Sequence, residues 1–234
     1  MGLIVGPCAT TLGTVSPTAA AISGKHAPKP AAWAFTEDYV PESPAGMAAR
    51  AAATDLGLVS PSRGAAQTLT FLARVLAAKA VVEIGTGAGV ASLALLDGMH
   101  PDGVLTTIDP EAEYQNVARR IIAGTGIRAQ RLRTIAGAAL SVLPKLSDGA
   151  YDLVLIAGET IDAHEHLEQA IRLLRHGGVL VLSHAMLGGT VADPTNEEDE
   201  TLITRDVLEA VAGMDDLTPV FLPVGDGILA AVKH

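Results

Sequence analysis

The chain has 234 residues, of which 49% are hydrophobic and only 3% aromatic, and a formal net charge of −10. That length suits one α/β core, because single cores stop growing at roughly 250–300 residues, and an interior of Ala, Val, Leu and Ile suits parallel strands buried on both faces. The charge opposes approach to a phosphate backbone and argues against a nucleic-acid partner, while Cys8, the sole cysteine, leaves no intrachain disulfide and fits a reducing, cytoplasmic setting.

The opening Met-Gly-Leu-Ile-Val-Gly run has no basic region and breaks within a few residues, which fits neither a signal peptide nor a membrane span. Residues 1–31 mix Gly, Pro, Ser, Thr and Ala without a period and read as a flexible tail. A helical cap is expected over 32–78. It comprises an Ala-rich helix from about Glu37 to Asp55 and, after Val59-Ser-Pro-Ser62, a helix with Leu69, Leu72 and Leu76 on one stripe.

Residues 79–234 form the third division, in which apolar segments alternate with amphipathic ones. Strands are predicted at Ala80–Ile84, Val104–Ile108, Leu132–Ala136, Asp152–Ala157 and Val179–Ser183, and this alternation specifies a parallel sheet in an α/β fold. One intervening helix opens at Asp109-Pro110, turns Tyr114, Val117 and Ile121 inward and stops at Gly124; another starts at Asp162, with Glu165 three residues on, places Leu167, Ile171 and Leu174 on a stripe and ends at Gly177-Gly178. Arg119, Arg120, Arg128, Arg131 and Arg133 read as a solvated helix end and a strand entrance. The acidic segment 188–200 reads as a mobile surface loop, or alternatively as a lid over a substrate. Leu217–Leu222 and Ile228–Val232, joined by Pro-Val-Gly-Asp-Gly, predict a hairpin and hence an antiparallel edge.

Chemistry concentrates at Val82-Glu-Ile-Gly-Thr-Gly-Ala-Gly89, where the first parallel strand passes into a helix. Gly85, Gly87 and Gly89 permit positive φ and remove Cβ atoms, so a ligand can approach the backbone at a helix start. A dinucleotide fingerprint asks for Gly or Ala where this chain has Val90, which weakens a nicotinamide reading. Asp109 ends the second strand 24 residues after Gly85, placed to accept hydrogen bonds from vicinal ribose hydroxyls or simply to cap a helix. Loop and carboxylate in this order point to an adenosine-type cofactor.

From roughly Phe35 onward the chain resembles the caffeoyl-CoA and catechol O-methyltransferase-like family, closest to its actinobacterial branch. The resemblance is carried by Leu58-Val-Ser-Pro61, Val82–Gly89, Thr107-Ile-Asp-Pro-Glu111, Gly137-Ala-Ala-Leu140 before Leu143-Pro144, Tyr151-Asp-Leu-Val154, Leu173-Leu-Arg-His-Gly-Gly178 and Leu187-Gly-Gly189. It implies a Rossmann-like class I methyltransferase fold with a mostly parallel seven-stranded sheet and an antiparallel C-terminal hairpin strand. It also implies S-adenosylmethionine as cofactor, a small hydroxylated substrate and a homodimer. Cofactor contacts are implied at Val59, Glu83, Gly85, Thr86 and Asp109, and at Ala138 through its backbone N–H. Gly87 and Gly89 complete the loop and Ala157 ends the neighbouring strand. Where the family has a serine eight positions after the loop glutamate this chain has Ala91, with Ser92 one place later as the substitute.

The family's metal site is changed throughout. Its Asp-Ala-Asp-Lys stretch is here Ala157-Gly-Glu-Thr160, and its Asp-Asn pair is Ser183-His184. Mg²⁺ wants near-octahedral oxygen coordination anchored by carboxylates, so no metal is expected. Methyl transfer is an in-line displacement at a sulfonium and can be accelerated by positioning and a base alone. His184 is the candidate base and Glu159 the weaker one, whereas His164 and His166, two apart on a helix, face different ways and take no assignment. A noncatalytic S-adenosylmethionine-binding protein and an NAD-dependent oxidoreductase are the competing readings.

Overall fold

The computed structural model describes residues 30–234, so most of the 1–31 tail lies outside the described residues. The chain divides after Thr36, and helix α1 (Pro30–Asp38) runs from the first unit into the second. The second unit, Glu37–His234, holds the remaining described elements.

The helix expected over Glu37–Asp55 is two. The chain leaves α1 at Asp38, and α2 (Pro44–Asp55) restarts with Pro44 in its first turn and the Ser43 hydroxyl accepting the Gly46 N–H. Pro41 and Pro44 cannot donate within a continuous helix, which explains the break. Helix α3 (Arg63–Val75) is capped by Ser62 and buries Leu69 with Ala65, Ala66 and Ala73; Leu72 and Leu76 pack at the margin.

Seven strands follow: β1 (Ala80–Ile84), β2 (Val104–Asp109), β3 (Leu132–Ala136), β4 (Tyr151–Ile156), β5 (Leu174–Ser183), β6 (Leu217–Leu222) and β7 (Ile228–Lys233). They form one sheet in the order β3-β2-β1-β4-β5-β7-β6. Strands β1 to β5 are parallel, and β7 runs antiparallel between β5 and β6. The expected mostly parallel sheet with an antiparallel C-terminal hairpin is therefore what the chain builds. Strand period two sorts the core: Val81 joins Leu69, Leu95, Leu105 and Val181 on one face, while Val82 and Ile84 join Ile108, Ile156, Leu167 and Leu180 on the other.

The helices between the strands are α4 (Val90–Gly98), α5 (Ala112–Ala123), α6 (Ala139–Val142), α7 (Ala163–Leu173) and α8 (Asp199–Ala212). On α5 the inward row is Gln115, Ala118 and Ile122, one residue on from the expected Tyr114, Val117 and Ile121. Gln115 is buried because its amide donates to the Ile135 carbonyl at 2.9 Å and to Thr86 Oγ1 at 3.3 Å. Helix α7 ends at Leu173 rather than at the glycines. Leu174 already pairs with Tyr151, and β5 carries Gly177-Gly178 through an irregularity where a Cβ on Gly178 would lie 3.0 Å from the Tyr151 carbonyl oxygen. Asp162 makes no side-chain cap.

The acidic segment is tied back to α8. The Arg205 guanidinium donates to the carbonyls of Thr190, Val191, Asp193 and Asn196. Asp199 and Glu200 begin α8, where carboxylates favour the helix dipole. The arginines on the far side are structural as well, with Arg131 donating to the carbonyls of Leu96, His100 and Gly103 and Arg119 to Thr134 Oγ1.

Helices α3 and α4 approach closely at Gly98, where a Cβ would stand 2.2 Å from the Thr70 carbonyl oxygen and 2.9 Å from Ala73 Cβ. Gly98→Ala must push the helices apart, and the expected cost is about 1–3 kcal/mol, a fall in Tm of roughly 5 °C. Thermal denaturation checks this; an unchanged Tm contradicts the packing described.

Candidate functional site

Strand order reverses between β1 and β4, and open α/β sheets bind ligands in the crevice at the carboxyl ends of the strands beside such a point. A cavity of about 670 Å³ lies there. The β1 end supplies Gly85, Thr86 and Gly87, the β2 end Asp109, Pro110 and Glu111, and the β4 end Ala157, Gly158 and Glu159. Ala138 and Ala139 at the start of α6, His166 on α7, His184 after β5 and the Leu58–Pro61 arm complete the walls.

The three loop glycines adopt positive φ, 92°, 49° and 93°, but for different reasons. A Cβ on Gly85 would stand 2.8 Å from the Ala157 carbonyl oxygen, so this glycine lets β1 and β4 close on each other. At Gly87 the nearest atom, on Leu58, would be 3.8 Å away, leaving the backbone open to the cavity. Gly89 does not line the cavity; its Cβ would meet Ala118 Cβ at 2.8 Å, so it seats α4 against α5.

Asp109 ties this loop down. Its Oδ2 accepts the N–H groups of Thr86 at 2.8 Å and Gly87 at 3.0 Å, and its Oδ1 accepts that of Glu111 at 2.9 Å. With only 6% of its surface exposed, the carboxylate is a loop anchor first. A carboxylate has about four acceptor positions, so one remains for a ligand hydroxyl. Val59 sits at the rim with 82% of its surface exposed.

Glu83 and Ser92, expected at the ligand surface, lie behind it and not among the lining residues. Both are fully buried, and the Ser92 hydroxyl donates to Glu83 Oε2 at 2.5 Å. Oε1 has no partner among the described residues. Burial pushes the Glu83 carboxyl up to about 7, a rise only partly offset by the Ser92 and Thr107 hydroxyls.

His184 is the sequence candidate the structure places most informatively. It takes φ +57°, a left-handed conformation uncommon for a residue with a Cβ. The hairpin tip imposes it: the N–H groups of Ala185 and Met186 donate to the carbonyls of Gly227 and Asp226. Asp226 was not legible as a site residue, yet its Oδ2 lies 3.7 Å from His184 Nδ1, and its Oδ1 accepts the Gly188 N–H at 2.8 Å. Burial lowers the His184 pKa below the usual imidazole value, with Asp226 opposing that shift, so the ring is neutral near pH 7. Glu159 also lines the cavity, on an exposed turn.

The residues do not fit the family's divalent cation. Ala157 offers no side-chain donor, and the Ser183 hydroxyl points to the Ile156 carbonyl oxygen at 3.4 Å. Among the described residues no three His, Cys, Asp or Glu side chains cluster as ligands.

The family model described as O-methyltransferase matches residues 47–234. A Mycobacterium tuberculosis protein named as an O-methyltransferase is 45% identical over 203 residues, covering 86% of this chain and 90% of the relative. Among solved structures, the O-methyltransferase TomG from Streptomyces achromogenes, involved in tomaymycin synthesis and crystallised with S-adenosylmethionine, matches with a TM-score of 0.77 and 30% identity, covering 86% of this chain and 94% of TomG. A Corynebacterium glutamicum protein matches with a TM-score of 0.79 and 31% identity over 85% of this chain and 94% of its own.

The raised Glu83 pKa has a thermodynamic signature. A carboxyl that titrates at 4.5 unfolded and about 7 folded holds its proton longer in the native state, so its contribution to stability is largest below pH 4.5 and is lost as pH rises to about 7. Glu83→Gln carries no such term. The stability of the variant relative to wild type should rise by about 3 kcal/mol between pH 4 and pH 8, read from urea unfolding across that range, and a pH-independent difference contradicts the assignment.

Proposed function

This chain belongs to the O-methyltransferase family and is an S-adenosylmethionine-dependent enzyme, and from that premise we propose that it methylates a small hydroxylated molecule without a divalent metal, using His184 as base. The observation that carries the proposal is the His184–Asp226 pair on the cavity wall, in a site where Ala157 and Ser183 stand at the family's ligand positions. No helix among the described residues is long and apolar enough to cross a membrane, and TomG is involved in tomaymycin synthesis.

In this reading the backbone of Gly85, Thr86 and Gly87 cradles the methionine portion, Asp109 accepts from the ribose and the Ala138 N–H meets the adenine. Val59 and Ala157 close the rim and the strand end. Glu83 and Ser92 act from beneath the loop, where the hydrogen bond between them braces the end of β1 against α4. Asp226 draws the Nδ1 side of His184, leaving Nε2 for the substrate. The base takes the hydroxyl proton as the oxygen attacks the methyl carbon, the carbon–sulfur bond breaks, and the sulfonium leaves as a neutral thioether. Glu159 is the second candidate base. Residues 32–78 serve as a cap that lends Leu58–Pro61 to the cavity, and 79–234 as the cofactor domain. The working form is a cytoplasmic homodimer.

Methyl transfer to a panel of catechols, simple phenols and hydroxylated heterocycles, measured on chelator-treated protein with and without Mg²⁺, tests the proposal. The rate should be indifferent to Mg²⁺ and should fall at low pH as His184 protonates. His184→Ala should lower kcat about 100-fold or more. Asp226→Asn should lower kcat less and move the acidic limb of the pH profile to lower pH, because Asp226 supports the protonated ring. Turnover only with Mg²⁺ contradicts the metal-free reading, and cofactor binding without turnover on any acceptor favours a noncatalytic binding protein.

A further inference from the structure

Two parts of the cavity wall are supplied from outside the glycine loop and its neighbouring strand ends. One is the Leu58–Pro61 arm; the other is His184, whose backbone and carboxylate partner are set by the tip between β6 and β7. Both are tied to one side chain. Glu37, in the last turn of α1, accepts the Ser62 hydroxyl at 3.0 Å and the Gly225 N–H at 3.3 Å through Oε1, and the Gly64 N–H at 2.7 Å through Oε2. Ser62 follows the arm directly and caps α3, Gly64 lies in the first turn of α3, and Gly225 precedes Asp226.

The surroundings are shaped for this sharing. A carboxylate is favoured at a helix start, where the N–H groups are free and the dipole is positive. A Cβ on Gly64 would lie 2.7 Å from Glu37 Oε1, and one on Gly225, at φ +57°, would lie 2.5 Å from Ser62 Oγ, so both glycines admit the contact. The arm has a second support in Arg50, which donates to the Pro61 carbonyl and the Ser60 hydroxyl and pairs with Glu42. None of these partners is on the tip, so Glu37 alone of the two joins arm and tip.

We propose that Glu37 is a positioning residue for both sides of the reaction, holding the arm against the cofactor and, through Gly225, holding Asp226 beside His184. The proposal rests on the reading of this cavity as the cofactor seat and of His184 as the base. Glu37 is not among the cavity's lining residues, and it acts through the segments that it fastens.

Two variants open this clasp in different ways. Glu37→Gln keeps the shape but leaves one acceptor oxygen where two now serve. Gly64→Ala keeps Glu37 and suits a helix better, while its Cβ displaces the carboxylate, which is the free end of a flexible side chain. Asp38→Asn, at the surface ion pair with Arg63, is the control. Calorimetric titration with S-adenosylhomocysteine should show at least about fivefold weaker binding by both test variants. NMR of ¹⁵N-histidine-labelled protein should show the His184 titration, identified by its loss in His184→Gln, moving to lower pH in both, the direction expected for Asp226→Asn because Asp226 supports the protonated ring. Glu159 lines the same wall and neither variant touches it. The control should match wild type in both measurements.

A Glu37 that merely stabilises the fold would lower the Tm of Glu37→Gln and leave both readings unmoved; that result overturns the proposal, as does movement of only one of them. If both readings move but His184→Ala turns over at the wild-type rate, the base assignment fails and the hold of Glu37 on arm and tip stands. Absence of S-adenosylhomocysteine binding by wild type removes the cavity reading and the proposal together.

Discussion

The Asp109 carboxylate is the constraint on which the site depends. A glycine loop with three positive φ values gains chain entropy on unfolding, and little in its own sequence holds it in one shape. Asp109 supplies the restraint from the neighbouring strand by accepting three backbone N–H groups, two from the loop and one from the start of the following helix. Charge-assisted hydrogen bonds of this kind are worth about 1.5–3 kcal/mol each. The parallel register, Ile84 opposite Ile108, is what brings that carboxylate level with Thr86 and Gly87. Gln115 adds a second prop by donating to Thr86 Oγ1. The loop is thereby shaped before any ligand arrives, which reduces the ordering cost of binding.

A second restraint acts on the opposite wall. The tip between β6 and β7 grips the chain just after β5, and the price of that grip is a left-handed His184. Strain held by surrounding hydrogen bonds at a cavity wall is a common mark of function. Here the same tip delivers Asp226 to the imidazole, so one hairpin both sets the backbone of His184 and places a carboxylate beside its ring. The antiparallel pair at the sheet's end is therefore what organises this wall of the cavity.

Much of this was legible from residues alone. The alternation from Ala80 onward specifies a parallel sheet, and Val82–Gly89 and Asp109 fall at adjacent strand ends, as their spacing required. The changed positions 157, 183 and 184 were visible by their chemistry. What stayed hidden depends on which way a side chain turns or on what a distant segment brings. Glu83 and Ser92 lie under the loop because strand period two turns Glu83 toward α4, away from the ligand side. The α5 stripe was missed by one residue because its first member is a polar Gln115, satisfied by carbonyls from two strands and therefore invisible to an apolar pattern. Asp226 is 42 positions from His184 and reaches it only through the β5–β7 register. His166 was discounted because helical spacing separates it from His164, yet that separation is what puts His166 inside.

The most direct measurement is titration of S-adenosylhomocysteine into metal-stripped wild type and Asp109→Asn, with folding of the variant verified by circular dichroism. The asparagine keeps the shape but exchanges a charged acceptor for an amide that cannot accept at both ends. The expected result is a stoichiometric complex with wild type and an affinity at least about 100-fold lower for the variant. Undiminished binding by Asp109→Asn, or none by wild type, would contradict a cofactor seat built on this carboxylate.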